Sequence, residues 1–216
     1  MADWTIDDSV RNAYDTVAAD YSELLRTALT SKPFDRAMLV AFAELIKTGS
    51  LGRVADLGCG PGHVTAFLHG QGLNVFGMDL SSEMVAIAKK DYPELGFDVG
   101  SMRALALGNG TLGGITAWYS IIHTPPAQLP ATFEEFSRVL VEGGYLALAF
   151  QVGSERVHIE QGYGHSVSLD AYRIDPNETT DLLASAGLIV KARLIREPDS
   201  SEKVSQAYLL AQKAPG

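Results

Sequence analysis

The run Val54-Ala55-Asp56-Leu57-Gly58-Cys59-Gly60-Pro61-Gly62 constrains this chain more than any other stretch. A short apolar segment runs into a glycine-rich turn, an acidic residue stands two before the first glycine, and a helical pattern follows. About 20 residues on, Phe76-Gly77-Met78-Asp79-Leu80 brings a second apolar segment to another carboxylate. Glycine in a tight turn lets the backbone come close to a ligand, because a Cβ would block it. The helix after Gly62 is expected to offer N–H groups and a positive dipole end to an anion. Asp79, at the tip of the next strand, can accept hydrogen bonds from two vicinal ribose hydroxyls. The spacing therefore predicts a pocket for an adenosine-containing ligand.

The dinucleotide fingerprint G-x-G-x-x-G would place its third glycine where this chain has His63. The phosphate-cradling G-x-x-x-x-G-K-[ST] is absent. With Asp56-Leu57-Gly58-Cys59-Gly60-Pro61-Gly62 and Asp79 at these positions, the chain resembles the class I S-adenosylmethionine (SAM) dependent methyltransferases. Phe97-Asp98-Val99-Gly100-Ser101-Met102 falls where that family's adenine-binding segment lies. Gly113 to His123 looks like its fourth strand and following loop, and Glu142-Gly143-Gly144-Tyr145-Leu146 like the turn into its fifth. The likeness covers Ala13 to Lys213.

The resemblance implies an α/β fold: a Rossmann-like, doubly wound, mostly parallel seven-stranded sheet with a reversed edge strand, helices on both faces and an N-terminal helical cap. It implies one methyltransferase domain over 1–216, with the cap in 1–50, the SAM-binding core in 51–150, and a substrate-side insertion and final strands in 151–216. The expected activity is methyl transfer from SAM to an oxygen, nitrogen or carbon nucleophile of a small molecule, with S-adenosylhomocysteine (SAH) as product. The alternative is a SAM- or SAH-binding protein without methyl transfer, a scaffold or regulatory subunit. The substrate, its nucleophilic atom and the choice between monomer and homodimer are left open by the sequence.

Composition narrows the partners. The net charge of -9 argues against a nucleic-acid substrate, because phosphate binding needs a basic face. The single cysteine excludes an intramolecular disulfide and a multi-cysteine zinc site, and is compatible with a cytoplasmic location. Met1 to Val10 has no apolar run and does not read as a signal peptide. No stretch approaches the ~20 apolar residues of a membrane span. No carboxylate cluster suggests a metal.

Periodicity supplies the elements. Val10 to Thr30 reads as a helix with Tyr14, Val17, Tyr21, Leu24 and Leu25 on one face, capped by Asp7 or Asp8. Phe34 to Lys47 reads as a second helix, ending at Gly49. Strands follow at Arg53–Leu57, Asn74–Asp79, Gly96–Gly100, Leu112–Ser120 and Tyr145–Gln151, separated by helices starting near Gly62, Ser82 and Gln128. Arg156 to Leu169 reads as a hairpin or irregular insertion. Asp175-Pro176 opens a helix that ends at Gly187, and Ile189–Ile195 and Gln206–Gln212 form an antiparallel last pair.

Within the implied site, Asp56 is expected near the cofactor's amino group, directly or through water, and Gly58, Cys59, Gly60 and Gly62 supply the turn. Asp79 takes the ribose, with Leu80 beside it. Ser101 stands where the family often carries Asp, so its hydroxyl would accept from the adenine amino group, with Met102 on the adenine face. Tyr14 and Tyr21, seven apart on one helical face, are either core residues or part of a lid over the cofactor; Tyr21 is the candidate contact. Trp118 and Tyr119 end a strand, so alternation predicts that one of them faces the ligand; Tyr119 is the candidate. His123 is the candidate general base, the alternative being a histidine that only shapes its loop.

Overall fold

The computed structural model describes residues 4–215. Helices α1 (Trp4–Leu25) and α2 (Pro33–Thr48) precede the sheet. The chain then alternates through β1 (Val54–Leu57), α3 (His63–Gly70), β2 (Val75–Asp79), α4 (Ser82–Asp91), β3 (Gly96–Val99), β4 (Leu112–Trp118), α5 (Leu129–Val139) and β5 (Leu140–Gln151). A hairpin of β6 (Arg156–Gly162) and β7 (His165–Tyr172) follows, then α6 (Pro176–Ser185), β8 (Leu188–Arg196) and β9 (Gln206–Lys213).

The main sheet is 7-stranded, in the order β3-β2-β1-β4-β5-β9-β8. β3 to β5 run parallel, and β9 pairs antiparallel with both β5 and β8. Only β9 is reversed: inserted between β5 and the outermost β8, it runs against both, so β8 points the same way as β1 to β5. Side chains alternate across the sheet and fill a core on each face. Leu146, Leu148 and Phe150 of β5 pack with Phe133 and Phe136 of α5. Ala147 and Ala149 face α2, through Leu39, Phe42 and Ile46. Gly114 of β4 lets α2 lie this close: a Cβ there would sit 2.7 Å from both Phe42 Cζ and Ile46 Cδ1.

Two boundaries differ from the sequence expectation. α1 already includes Trp4, so Asp7 lies inside the helix and is not its cap. β5 begins at Leu140, where α5 passes directly into extended backbone. Its pairing with β4 slips between Leu112 and Gly114, a bulge next to Gly143 at φ 75°. Among the described residues, no helix is long and apolar enough to cross a membrane.

Candidate active site

The parallel strands end on one side of the sheet, where open α/β folds bind ligands. β1 turns there through glycines in the left-handed region, Gly58 (φ 71°), Gly60 (φ 52°) and Gly62 (φ 86°). A Cβ on Gly58 would lie 2.3 Å from Ser120 Cβ and 3.2 Å from Met102 Cε, so only glycine fits this crossing. The amides of the turn already have partners. Gly58 and Cys59 donate to the Met78 carbonyl at 2.7 and 3.1 Å, and Gly62 donates to the Cys59 carbonyl at 3.0 Å. Gly60 donates to Asp79 Oδ2 at 2.8 Å, while Ser81 N–H holds Oδ1 at 2.9 Å. The turn therefore contributes close backbone approach rather than free donors.

A cavity open to solvent lies against this turn. Gly58, Cys59, Gly60, Asp79, Leu80, Ser101, Met102, Tyr119, Tyr21 and His123 all line it. Burial raises the Asp79 carboxyl above its usual range, against the two amides that favour its charged form. Burial also pushes the Cys59 thiol up, so it stays protonated and offers backbone rather than nucleophile.

Asp56 and Gly62 are not among the residues that line the cavity. Asp56 is 1 % exposed, and its carboxylate oxygens accept from Thr65 Oγ1 at 2.6 Å and Thr116 Oγ1 at 2.8 Å. It braces β1 against α3 and β4, with burial raising its pKa to about 6. Gly62 enters α3 with its α-carbon against the Phe97 ring, where a Cβ would lie 2.8 Å from Cζ. The alternation expected at Trp118 and Tyr119 fails. Tyr119 lies past the end of β4 at φ 54°, so both rings line the cavity.

α1 forms the roof. Tyr14 and Tyr21 stack edge-on with ring centroids 5.6 Å apart, and Tyr21 meets Tyr163 of the hairpin at 5.1 Å. His123 Nδ1 lies 2.8 Å from the Asp170 carbonyl, which can only accept, so Nδ1 carries the proton. Burial lowers the His123 pKa and keeps the ring neutral, leaving Nε2 as an acceptor for the Tyr14 hydroxyl at 2.8 Å.

Sequence reasoning missed Asp7. Its carboxylate lines the cavity, accepts from Ser101 Oγ at 3.0 Å and pairs with Arg103 at 2.5 Å. No local pattern marks it, since its partners lie more than 90 positions away. Among the described residues, no group of three or more His, Cys, Asp or Glu is placed to hold a metal ion.

A family model described as a methyltransferase domain matches residues 54–144, the stretch that carries the glycine turn and Asp79. Over this stretch the chain is similar to the methyltransferase domain family. A demethylmenaquinone methyltransferase from Beutenbergia cavernae is 31% identical over 140 residues, covering 65% of this chain and 57% of that protein. The chain thus spans little more than half the length of such relatives. Among solved structures, magnesium protoporphyrin IX methyltransferase from Synechocystis PCC 6803, with bound SAM, superposes at a TM-score of 0.74 with 17% identity over 97% of both chains. The 1,6-didemethyltoxoflavin-N1-methyltransferase of Burkholderia thailandensis superposes at 0.71 with 18% identity, covering 100% of this chain and 92% of that one. At such identities the methyltransferase likeness is one of fold.

Proposed function

We propose that the chain is a SAM-dependent methyltransferase acting on a small molecule. One observation carries the reading: Asp79 stands at the end of β2 on the wall of a roofed cavity, beside a glycine turn too crowded for any side chain at Gly58. Asp79 would hold the ribose. Ser101 and Met102 would border the adenine, with Asp7 supplying the carboxylate that the family often carries at the Ser101 position. Tyr21, Leu80, Cys59, Gly60 and Tyr119 complete the wall, and Asp56 and Gly62 support it from behind.

When bound, SAM supplies a positively charged sulfonium whose methyl carbon is open to in-line displacement, leaving SAH. The protein's part is alignment and exclusion of water, which can supply ~7–11 kcal/mol of a barrier. His123 and Tyr14 form one unit. The acceptor's O–H or N–H gives its proton to the Tyr14 oxygen as Tyr14 passes its own to His123 Nε2. The Asp170 carbonyl holds the resulting imidazolium through Nδ1–H.

Calorimetric titration of the chain with SAM, with NADH as control, tests the cofactor. One-site SAM binding without NADH binding is expected; no SAM binding by folded, ligand-free protein overturns the reading. Transfer of labelled methyl from SAM into a metabolite extract separates an enzyme from a SAM-binding scaffold. The proposal includes a cytoplasmic enzyme, a single functional domain over 1–216 and a monomer or homodimer. The one cysteine, free and buried, supports the cytoplasmic location.

A further inference from the structure

A second cavity adjoins the first across Tyr14, Tyr21, Tyr119 and His123, which line both. Its outer wall is the inner face of the β6–β7 hairpin. Val157 pairs with Ala171 and Ile159 with Leu169, and all four line the cavity. Val157 stays 37% exposed and Tyr163 at the tip 46% exposed, apolar surface that the chain itself leaves uncovered.

Arg173 extends this row, two residues past Ala171, and also lines the cavity. Its Nε is buried and has no hydrogen-bond partner among the described residues. Its ion pair is a 3.4 Å approach of Nη1 to Glu155, a carboxylate whose side chain is 60% exposed. Leaving a buried donor unpaired costs ~1–3 kcal/mol, so the arrangement calls for a partner. Glu202, the carboxylate on this cavity's wall, is already held by Arg196 at 2.5 Å and Lys32 at 2.8 Å. Lys203 adds another cation to the lining. The electrostatic balance of the cavity is therefore positive around an apolar wall.

We propose that this cavity binds the methyl acceptor and selects an amphiphilic organic anion, with its apolar body along the hairpin and its carboxylate on Arg173. The nucleophile lies at the other end, beside Tyr14 and His123. This rests on reading the first cavity as the SAM site. His123 is tied to the Asp170 carbonyl, and Arg173 lies three residues further, ~10 Å of chain at ~3.3 Å per residue. A phenol with a carboxylate on a short chain spans that distance.

The test uses para-hydroxyphenylpropanoate and its neutral methyl ester, titrated calorimetrically into the full chain saturated with SAH. The acid should bind the wild type about tenfold or more tighter than the ester, the value of one charge-assisted hydrogen bond. Arg173→Gln should bind the two alike, with SAH affinity and Tm unchanged, and Arg173→Lys should restore part of the preference. Equal binding of acid and ester to the wild type, a preference that survives Arg173→Gln, or binding of neither probe overturns the proposal. Failure of the underlying reading is distinguishable: SAH itself then does not bind, and the acceptor assignment falls with it.

Discussion

Asp79 meets the cavity with both carboxylate oxygens anchored by backbone N–H groups. Asp79→Ala removes the group that would take the ribose hydroxyls, at ~1.5–3 kcal/mol for each hydrogen bond to a charged group. Calorimetry should show SAM affinity falling by at least about tenfold in a protein that still folds. The Tyr14–His123 pair predicts a different pattern. Tyr14→Phe and His123→Ala should leave SAM binding intact and lower kcat by ~10²-fold or more for an acceptor that must lose a proton. Full turnover by His123→Ala with the true acceptor would assign the ring to loop shaping alone. His63 predicts a pH effect. Burial lowers its pKa to about 4 from the ordinary 6.5, so the folded state holds it neutral while the unfolded chain takes up a proton. Its contribution is complete above pH 6.5 and is lost as pH falls toward 4, by about 3 kcal/mol. Urea unfolding at pH 7 and pH 4.5 should therefore show a smaller loss in His63→Gln than in the wild type. At this scale the glycines and Asp79 were readable, because their geometry is set by neighbours in sequence. The partners of Asp56 were not readable, because they come from other elements: Thr65 from α3, and Thr116 from β4, which pairs beside β1.

α1 is held down by its charged side chains rather than by an apolar seam alone. Asp7 pairs with Arg103, Arg11 Nε donates to the Leu80 carbonyl at 3.3 Å, and Asp15 Oδ1 accepts from Ser81 Oγ at 2.5 Å. Ser81 also caps α4 by accepting from Met84 N–H. Asp15→Ala should loosen the roof more than the fold. Hydrogen exchange in α1 should quicken by about tenfold, while global stability falls by only about 1 kcal/mol. Equal effects on both would mean that α1 does not open separately from the core. The helical face with Tyr14 and Tyr21 was readable from its period. The start of α1 was not, because Asp7 resembles a cap in sequence and becomes an interior residue only through Arg103. The hairpin was readable only as an interruption, since its polar and apolar alternation carries no sign of what it faces.

Across the whole molecule, α2, β4 and β9 meet at one buried carboxylate. Asp35 accepts from Tyr208 at 2.7 Å and from Trp118 Nε1 at 3.3 Å, with Arg196 donating to the Tyr208 oxygen at 3.0 Å. Asp35→Ala should destabilise the protein by roughly 1–3 kcal/mol for each donor left orphaned, measured by urea unfolding. The topology up to β5 was readable from alternating strands and helices. The order of β8 and β9 depends on pairing between distant segments, which periodicity does not encode. The roof has a kinetic consequence as well. A single helix covers both cavities, so one opening event admits and releases both ligands. Acceptors of very different intrinsic reactivity should then converge on one ceiling for kcat, set by the rate at which α1 lifts, and added viscogen should lower that ceiling.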